Sequence, residues 1–368
     1  MGPGSRIPAF RRVLADTPGL TCVGLVLRRD RASSVPVYTD LGRCLDQTRP
    51  DFVLCLVQAH ITPAVLSTAI EYGTPVLALA PPAAGKWQLE RLSDLVDSGL
   101  VQIAEYHPLL PEHAARLKAV HLGMIGEVTA VQISTIPAHN AMALIRAYLS
   151  LDAPIHGCYA APWRHAGSSG VAPQIGAVAR PHRFITSSND DPQIRRTTTI
   201  LTSVEFGQGL SGLYSSASDH QHDLLKSLLS VRGTLGEISG DQIVRLGEHH
   251  LITTTHLHRH PDQPQSSLDP DAPIHGCCAT PAIGASGLDV TRTTDIALGD
   301  QILWTNPHPE MAWNDEEVAI AEFLSRMTSW VRGDGPAPYP LSQALFDARL
   351  GVAVHECVEQ NRAIEVTA

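Results

Sequence analysis

The residues of this chain whose types and spacing could do chemistry are glycines before a helix, arginines after an apolar run, and histidines beside tyrosine or asparagine. The chain opens MGPGSRIPAF, with Gly2, Gly4, Ser5 and Arg6 leading into a helical run. Such glycines let a backbone approach a pyrophosphate, and a helix start adds unpaired N–H groups and a favourable dipole. Ile7 stands where a third glycine or alanine would be, and GPGS is also what a protease-cleaved tag leaves, so both origins stay open. Arg28 and Arg29 follow the apolar run LTCVGLVL. A carboxylate at the end of such a strand grips the ribose diol of NAD; Leu27 occupies that place, and two guanidinium groups suit the 2′-phosphate of NADP. A solvated arginine pair is the other reading. Tyr106 and His107 close the run LVQIAEYH, at the strand end where ligands approach a doubly wound sheet. His139 and Asn140, in TIPAHNAMALIR, offer an imidazole that could trade a proton with a substrate hydroxyl, or a helix cap.

The heptapeptide DAPIHGC occurs twice, at 152–158 and 271–277. On extended strands His156 with Cys158, and His275 with Cys277, would share a face and offer zinc two nitrogens and two sulfurs if the strands paired. H-x-C is not a zinc-finger spacing, and a duplicated strand-turn element accounts for the repeat as well, so no metal ligand is assigned. His249, His250, His256, His258 and His260 read as exposed loop and strand histidines. The cysteines Cys22, Cys44, Cys55, Cys158, Cys277, Cys278 and Cys357 form no CxxC and read as buried reduced thiols.

These side chains need a scaffold, and the hydrophobic pattern predicts one. Between Ile7 and about Val120 helical runs alternate with short apolar strands. The strands are LTCVGLVL, DFVLCLV, TPVLALA and LVQIAEY; the first reads as buried on both faces. The helix TPAVLSTAIEYG is expected to be capped by Thr62, with Pro63 in its first turn. This alternation predicts a parallel, doubly wound sheet. After Gly126 the character changes to VTAVQIST, a helix at Asn140 to Leu149, and then strand-like runs without regular helices between them: TTTILTSVEF, GLSGLYSSAS, GEISGDQIVRL, HLITTTHLH and IALGDQILW. A largely antiparallel sheet follows from that order. Two helices close the chain, one from Asn314 with Glu317 in capping-box register and one from about Ser342 to Gln360. RHPDQPQSSLDPDAP reads as a proline-rich exposed loop. The expected domains are 1–122 and 123–368, the C-terminal helices being able to pack back on the first.

A chain of 368 residues with 43% hydrophobic content can fill two cores. No run reaches the roughly 18 apolar residues of a membrane span, and no signal-peptide pattern opens the chain. A cytoplasmic protein without a membrane partner is expected. The net charge of −10, with no basic run, argues against nucleic acid and for a small-molecule substrate.

The order of segments, with IGEVTAVQIS opening the second domain, SVRGTLGEISGDQIVRL in its sheet and NDEEVAIAEFLSRM near the end, resembles the glucose-fructose oxidoreductase and inositol dehydrogenase (Gfo/Idh/MocA) family over nearly the whole chain. The resemblance implies an α/β fold: a Rossmann-like doubly wound parallel sheet, here lacking its first strand, then an α+β domain with an open, mainly antiparallel sheet. A start codon assigned too far downstream would explain the missing strand. It further implies hydride transfer between NADP or NAD and a secondary alcohol or ketone of a sugar-like or cyclitol-like substrate, by a homodimer or homotetramer. His60, in LVQAHITPAV, matches a family histidine beside the nicotinamide; Gln58, Pro81 and Glu105 join the cofactor-binding residues. Departures are as informative. Where the family has Glu-Lys-Pro this chain has Leu79, Ala80 and Pro81, and of its three lysines, Lys86, Lys118 and Lys226, none falls in that slot. The family's aspartate and histidine one turn apart are replaced by His139 and Asn140. Proton transfer then falls to Tyr106, His107, His139, Asn140 or Lys226. A non-redox descendant, serving as a binding or scaffold protein or catalysing another reaction, is the alternative.

Overall fold

A computed structural model describes residues 7–29, 33–134, 136–151, 158–162, 199–206, 209–217, 229–247, 251–261 and 293–366. Gly2, Gly4, Ser5, Arg6, Lys226, His249, His250, most of the proline-rich loop and both DAPIHGC copies apart from Cys158 lie outside the described residues. In chain order the elements are α1 (Ile7–Asp16), β1 (Leu25–Val26), β2 (Val37–Tyr38), α2 (Leu41–Thr48), β3 (Val53–Cys55), α3 (Thr62–Glu71), β4 (Val76–Leu79), α4 (Lys86–Ser93), β5 (Val101–Ala104), α5 (Pro111–His121), β6 (Val128–Ser134) and α6 (Ala138–Tyr148). There follow β7 (Cys158–Pro162), β8 (Thr199–Glu205), β9 (Ser211–Ala217), β10 (Leu229–Gly233), β11 (Gly236–Ser239), β12 (Gln242–Leu246), β13 (Ile252–Pro261), β14 (Thr293–Leu298), β15 (Gln301–Thr305), α7 (Asp315–Arg332), α8 (Leu341–Gln360) and β16 (Ile364–Val366). The chain divides into two compact units, Met1–His113 with Asn306–Ala348, and Ala114–Thr305 with Arg349–Ala368.

The first unit holds two parallel sheets, β1-β2 and β3-β4-β5. Every residue of β4 and β5 is buried, as expected for strands apolar on both faces with helices above and below. The expectation fails for LTCVGLVL. Only Leu25–Val26 pair, with Val37–Tyr38, and Val23 and Val26 are exposed. Among the described residues no strand pairs with the other edge of β1, and α2 approaches it. Gly24 marks that approach: a Cβ there would lie 3.2 Å from the sulfur of Cys44. Thr62 also differs from expectation. It is the first helical residue of α3 behind an N-cap at Ile61, and its hydroxyl turns back to the carbonyl of Gln58. Asn314 and Glu317 do form the predicted capping box of α7, which ends on Gly333 in the left-handed region at φ +80°. The open side of β5 is covered by the segment before α8: Ile103 N–H donates to Tyr339 O (2.9 Å), and Tyr339 N–H to the side-chain oxygen of Gln102 (3.0 Å).

The second unit is built on one sheet of order β15-β14-β13-β12-β11-β10-β6-β9-β8-β7-β16, antiparallel throughout except for β6 with β9. Val204, Gly212, Val131, Val231, Ile238 and Ile243 stand opposite one another across six strands, and the five side chains in this row are buried. Gly212 makes room for α6: a Cβ there would lie 2.8 Å from Cγ2 of Ile145. On the opposite face of the outer strands Leu246 pairs with Ile252, and Ile302 with Ala297. Ile252 is 73% exposed and Ile302 60%. Arg116 is wholly buried and anchors α5 to the β11–β12 turn through the Gly240 carbonyl (2.9 Å) and the Asp241 carboxylate (3.0 Å).

Candidate functional site at the strand ends

Ligands of open α/β sheets bind beyond the carboxyl ends of the strands, so those ends are taken in turn. After β1 the ladder persists to Leu27, whose N–H donates to Tyr38 O (2.9 Å); Arg28 and Arg29 come next and are both exposed. After β3 the thiol of Cys55 is pushed up to about 11 by burial, against the lowering effect of hydrogen bonds from Val57 and Thr62. It stays protonated and takes no part in acid–base chemistry near neutrality. The chain then turns at Gln58, whose carbonyl accepts from Ile61 N–H (2.8 Å) and Thr62 N–H (3.2 Å), and the side chains of Gln58 and His60 are exposed.

The loops after β3 and β4 are joined by a residue that the sequence did not single out. Gln88 on α4 is buried; its amide donates to His60 O (3.2 Å) while its carbonyl accepts from Ala84 N–H (3.0 Å). A polar residue on the apolar side of α4 beside Leu89 was the available signal. The β4 end carries Ala80 and Pro81 with a cis peptide between them. Lys86 opens α4, six residues beyond Ala80.

The end of β5 gathers three of the predicted residues. Tyr106, with φ −97° and ψ 1°, turns the chain into a one-turn 3₁₀ helix, His107–Leu109. Glu105 and His107 lie two apart and meet: Nδ1 of the ring is 2.6 Å from Oε1 of Glu105, and the His107 backbone N–H reaches the same oxygen at 3.4 Å. Between them Tyr106 is buried, its ring edge-on to Phe10 and stacked on His107 at 5.4 Å and 7°. Its hydroxyl donates to Glu316 (2.6 Å), in the first turn of α7. That phenol is therefore engaged within the core.

At the start of α1, Ile7, Pro8, Arg11 and Arg12 line a hollow of about 360 Å³. Arg12 is committed to the Ala312 carbonyl (2.7 Å) and to Glu317 (3.3 Å).

In the second unit His139 and Asn140 do not cap α6. Pro137 occupies the N-cap, which places the pair inside the first turn, with Asn140 wholly buried. The first turn sits against α8, where a Cβ on Gly351 would lie 3.0 Å from His139 N. Arg146, buried on the same helix and not foreseen, donates to Leu151 O (3.0 Å). Of the strand histidines, His256, His258 and His260 share one exposed face of β13, and His260 pairs with Asp295 on β14. Among the described residues no three His, Cys, Asp or Glu side chains are grouped to hold a metal ion. Cys44, Cys55 and Cys357 are buried free thiols as expected, whereas Cys22 is exposed, because it lies in the uncovered part of LTCVGLVL.

The pair of folds recurs in solved structures of low sequence identity. An oxidoreductase from Agrobacterium radiobacter, crystallised with NAD+, L-tartaric acid and magnesium, is 12% identical with a TM-score of 0.61, the match covering 99% of this chain and 96% of that one. The WlbA dehydrogenase from Bordetella pertussis, with NADH and UDP-GlcNAcA, is 13% identical with a TM-score of 0.59, covering 100% and 96%. The myo-inositol 2-dehydrogenase from Lactobacillus plantarum is 12% identical with a TM-score of 0.59, covering 99% and 96%. No family model and no curated protein matches the sequence. The likeness establishes the fold: a Rossmann-like parallel sheet followed by a mainly antiparallel sheet domain. At these identities it establishes the fold alone.

Proposed function

We propose that this chain is an NAD(P)-dependent oxidoreductase acting on CH–OH groups, passing a hydride between nicotinamide and a secondary alcohol or ketone of a sugar-like or cyclitol-like substrate. The observation that carries the reading is positional. Arg28 and Arg29, Gln58 and His60, Pro81, and Glu105 to His107 each follow the carboxyl end of a parallel strand, where this class of sheet binds its ligands. The cofactor class is supported by the NAD+ and NADH bound in two of the similar structures, and the polyhydroxy substrate class by the UDP-GlcNAcA bound to WlbA and by the myo-inositol for which the Lactobacillus dehydrogenase is named.

The residues suit a dinucleotide at its adenosine end. The exposed arginine pair suits a 2′-phosphate, favouring NADP over NAD, and the hollow with Arg11 adjoins in sequence the turn Gly2 to Arg6 proposed for the pyrophosphate. At the reacting end Ala80 offers no proton-transfer group. His107 takes that role, since the Tyr106 hydroxyl is held by Glu316. His139 and Lys226 stay with His107 as candidates for proton transfer, while Asn140 is wholly buried on α6. Self-association as a dimer or tetramer and a cytoplasmic location accompany this reading; no described helix is long and apolar enough to cross a membrane.

Fluorescence titration with NADPH and NADH, followed by hydride-transfer assays on a panel of sugars and inositols, tests the proposal. Arg28→Ala with Arg29→Ala is expected to weaken NADPH binding by about 1.5–3 kcal/mol per charged hydrogen bond lost and to spare NADH. Equal losses for both would leave the pair as surface charge. Binding of neither dinucleotide by the unmodified chain would overturn the oxidoreductase reading and favour the non-redox alternative.

A further inference from the structure

We infer that Glu105 is a positioning residue rather than a cofactor ligand: it fixes the tautomer and plane of His107 so that Nε2 takes the substrate hydroxyl proton. The inference rests on the oxidoreductase reading for its chemistry and on geometry for everything else. The Glu105 side chain is only 3% exposed and that of His107 13%. A carboxylate so buried must keep strong hydrogen-bond donors, and Oε1 has two from one residue, the ring Nδ1 and the backbone N–H of His107. Because an ionised carboxylate can only accept, Nδ1 carries the hydrogen, and in the neutral ring the lone pair is left on Nε2.

The ring plane is set separately. Tyr106 stacks flat on the imidazole, and its own rotation is fixed by the hydrogen bond to Glu316, whose charge is favoured at the start of α7. Glu105 thus sets which nitrogen carries the hydrogen, while the Tyr106–Glu316 pair sets the plane in which the ring lies. In the oxidative direction the carbinol carbon gives up a hydride to the oxidised dinucleotide, its C–O bond becomes C=O, and the hydroxyl proton passes to Nε2. The imidazolium so formed stands against the Glu105 carboxylate, which stays ionised and stabilises it.

The decisive measurement needs neither substrate nor cofactor. With ¹⁵N-labelled histidine, and the His107 signals assigned by their loss in His107→Ala, the neutral ring in the unmodified protein is expected as the Nδ1–H tautomer. In Glu105→Ala it should revert to the Nε2–H form that free imidazoles of histidine favour. Glu105→Met, which keeps the length of the side chain and removes the acceptor oxygen, serves the same purpose if the alanine variant does not fold. An Nε2–H ring in the unmodified protein, or no change in either variant, overturns the inference whatever the activity. In turnover, Glu105→Ala should lower kcat by about 10²- to 10⁴-fold while dinucleotide affinity holds. Combining it with His107→Ala should cost no more than His107→Ala alone. Weakened dinucleotide binding with kcat preserved would return Glu105 to the cofactor ligands. The expected tautomer in a protein that binds no dinucleotide would support the pairing and refute the oxidoreductase reading instead.

Discussion

Histidine at position 107 was legible in the sequence because a strand end is a place where ligands meet an α/β sheet. What made it a candidate of a particular kind, the carboxylate two residues earlier, was legible only as a neighbour. Alternation along an extended strand puts residues two apart on one side, yet no sequence pattern says that the ring and the backbone N–H of His107 will both turn to one oxygen of Glu105. Gln88 showed only as a polar residue beside Leu89, because its partners are backbone groups of Ala84 and His60, which every residue type carries alike. Thiol chemistry allows a test at this scale. Burial raises both Cys55 and Cys357 to about 11. Both are held protonated by the fold, so their contribution to stability is complete below the unfolded thiol value near 9 and is lost as the pH climbs toward 11. Urea unfolding at pH 8 and pH 10.5 should show that fall, and it should be shallower in Cys55→Ala with Cys357→Ala. Parallel falls in both proteins would assign the loss to other groups.

The elements were read well where one pattern sufficed. The β11–β12 and β14–β15 hairpins, seen as the runs GEISGDQIVRL and IALGDQILW, turn on Gly240 and Gly299, both in the left-handed region. LTCVGLVL shows the limit of such reading. An apolar β-branched run says that a strand can be buried, whereas burial depends on neighbours that the run itself does not contain. The packing of α6 on the large sheet depends on a single absent side chain. Gly212→Ala would place a methyl 2.8 Å from Ile145 and force α6 or β9 to shift, at a cost of about 1–3 kcal/mol. A denaturant midpoint unchanged in Gly212→Ala would show that the helix yields freely. Gly209→Ala tests something else, since among the described residues a Cβ there would meet no atom within 4 Å, and the position carries the backbone preference of φ +78°.

For the whole molecule, the two-domain order was legible because strands alternating with helices and strands following strands are different rhythms, and each implies its own sheet. In the outer strands of the second unit Ile252, Ile302, Leu246 and the facing histidines share one sheet face and are exposed. Burying that face against a second copy is the expected use of it. Light scattering at micromolar concentration should report a dimer or tetramer, and Ile252→Asp with Ile302→Asp should shift it to monomer. A monomeric unmodified protein would count against the arrangement. The parallel sheet of the first unit has met the same problem at its edge in another way. Tyr339 takes the N–H of Ile103 that a foreign strand would need, and Tyr339 is flanked by Pro336, Pro338 and Pro340, residues that have no N–H to offer a next strand. The segment that braces β5 is thereby also a terminator: the sheet cannot grow past β5 by recruiting another chain, so in a crowded solution this edge resists the strand-by-strand aggregation to which an open β5 would be exposed.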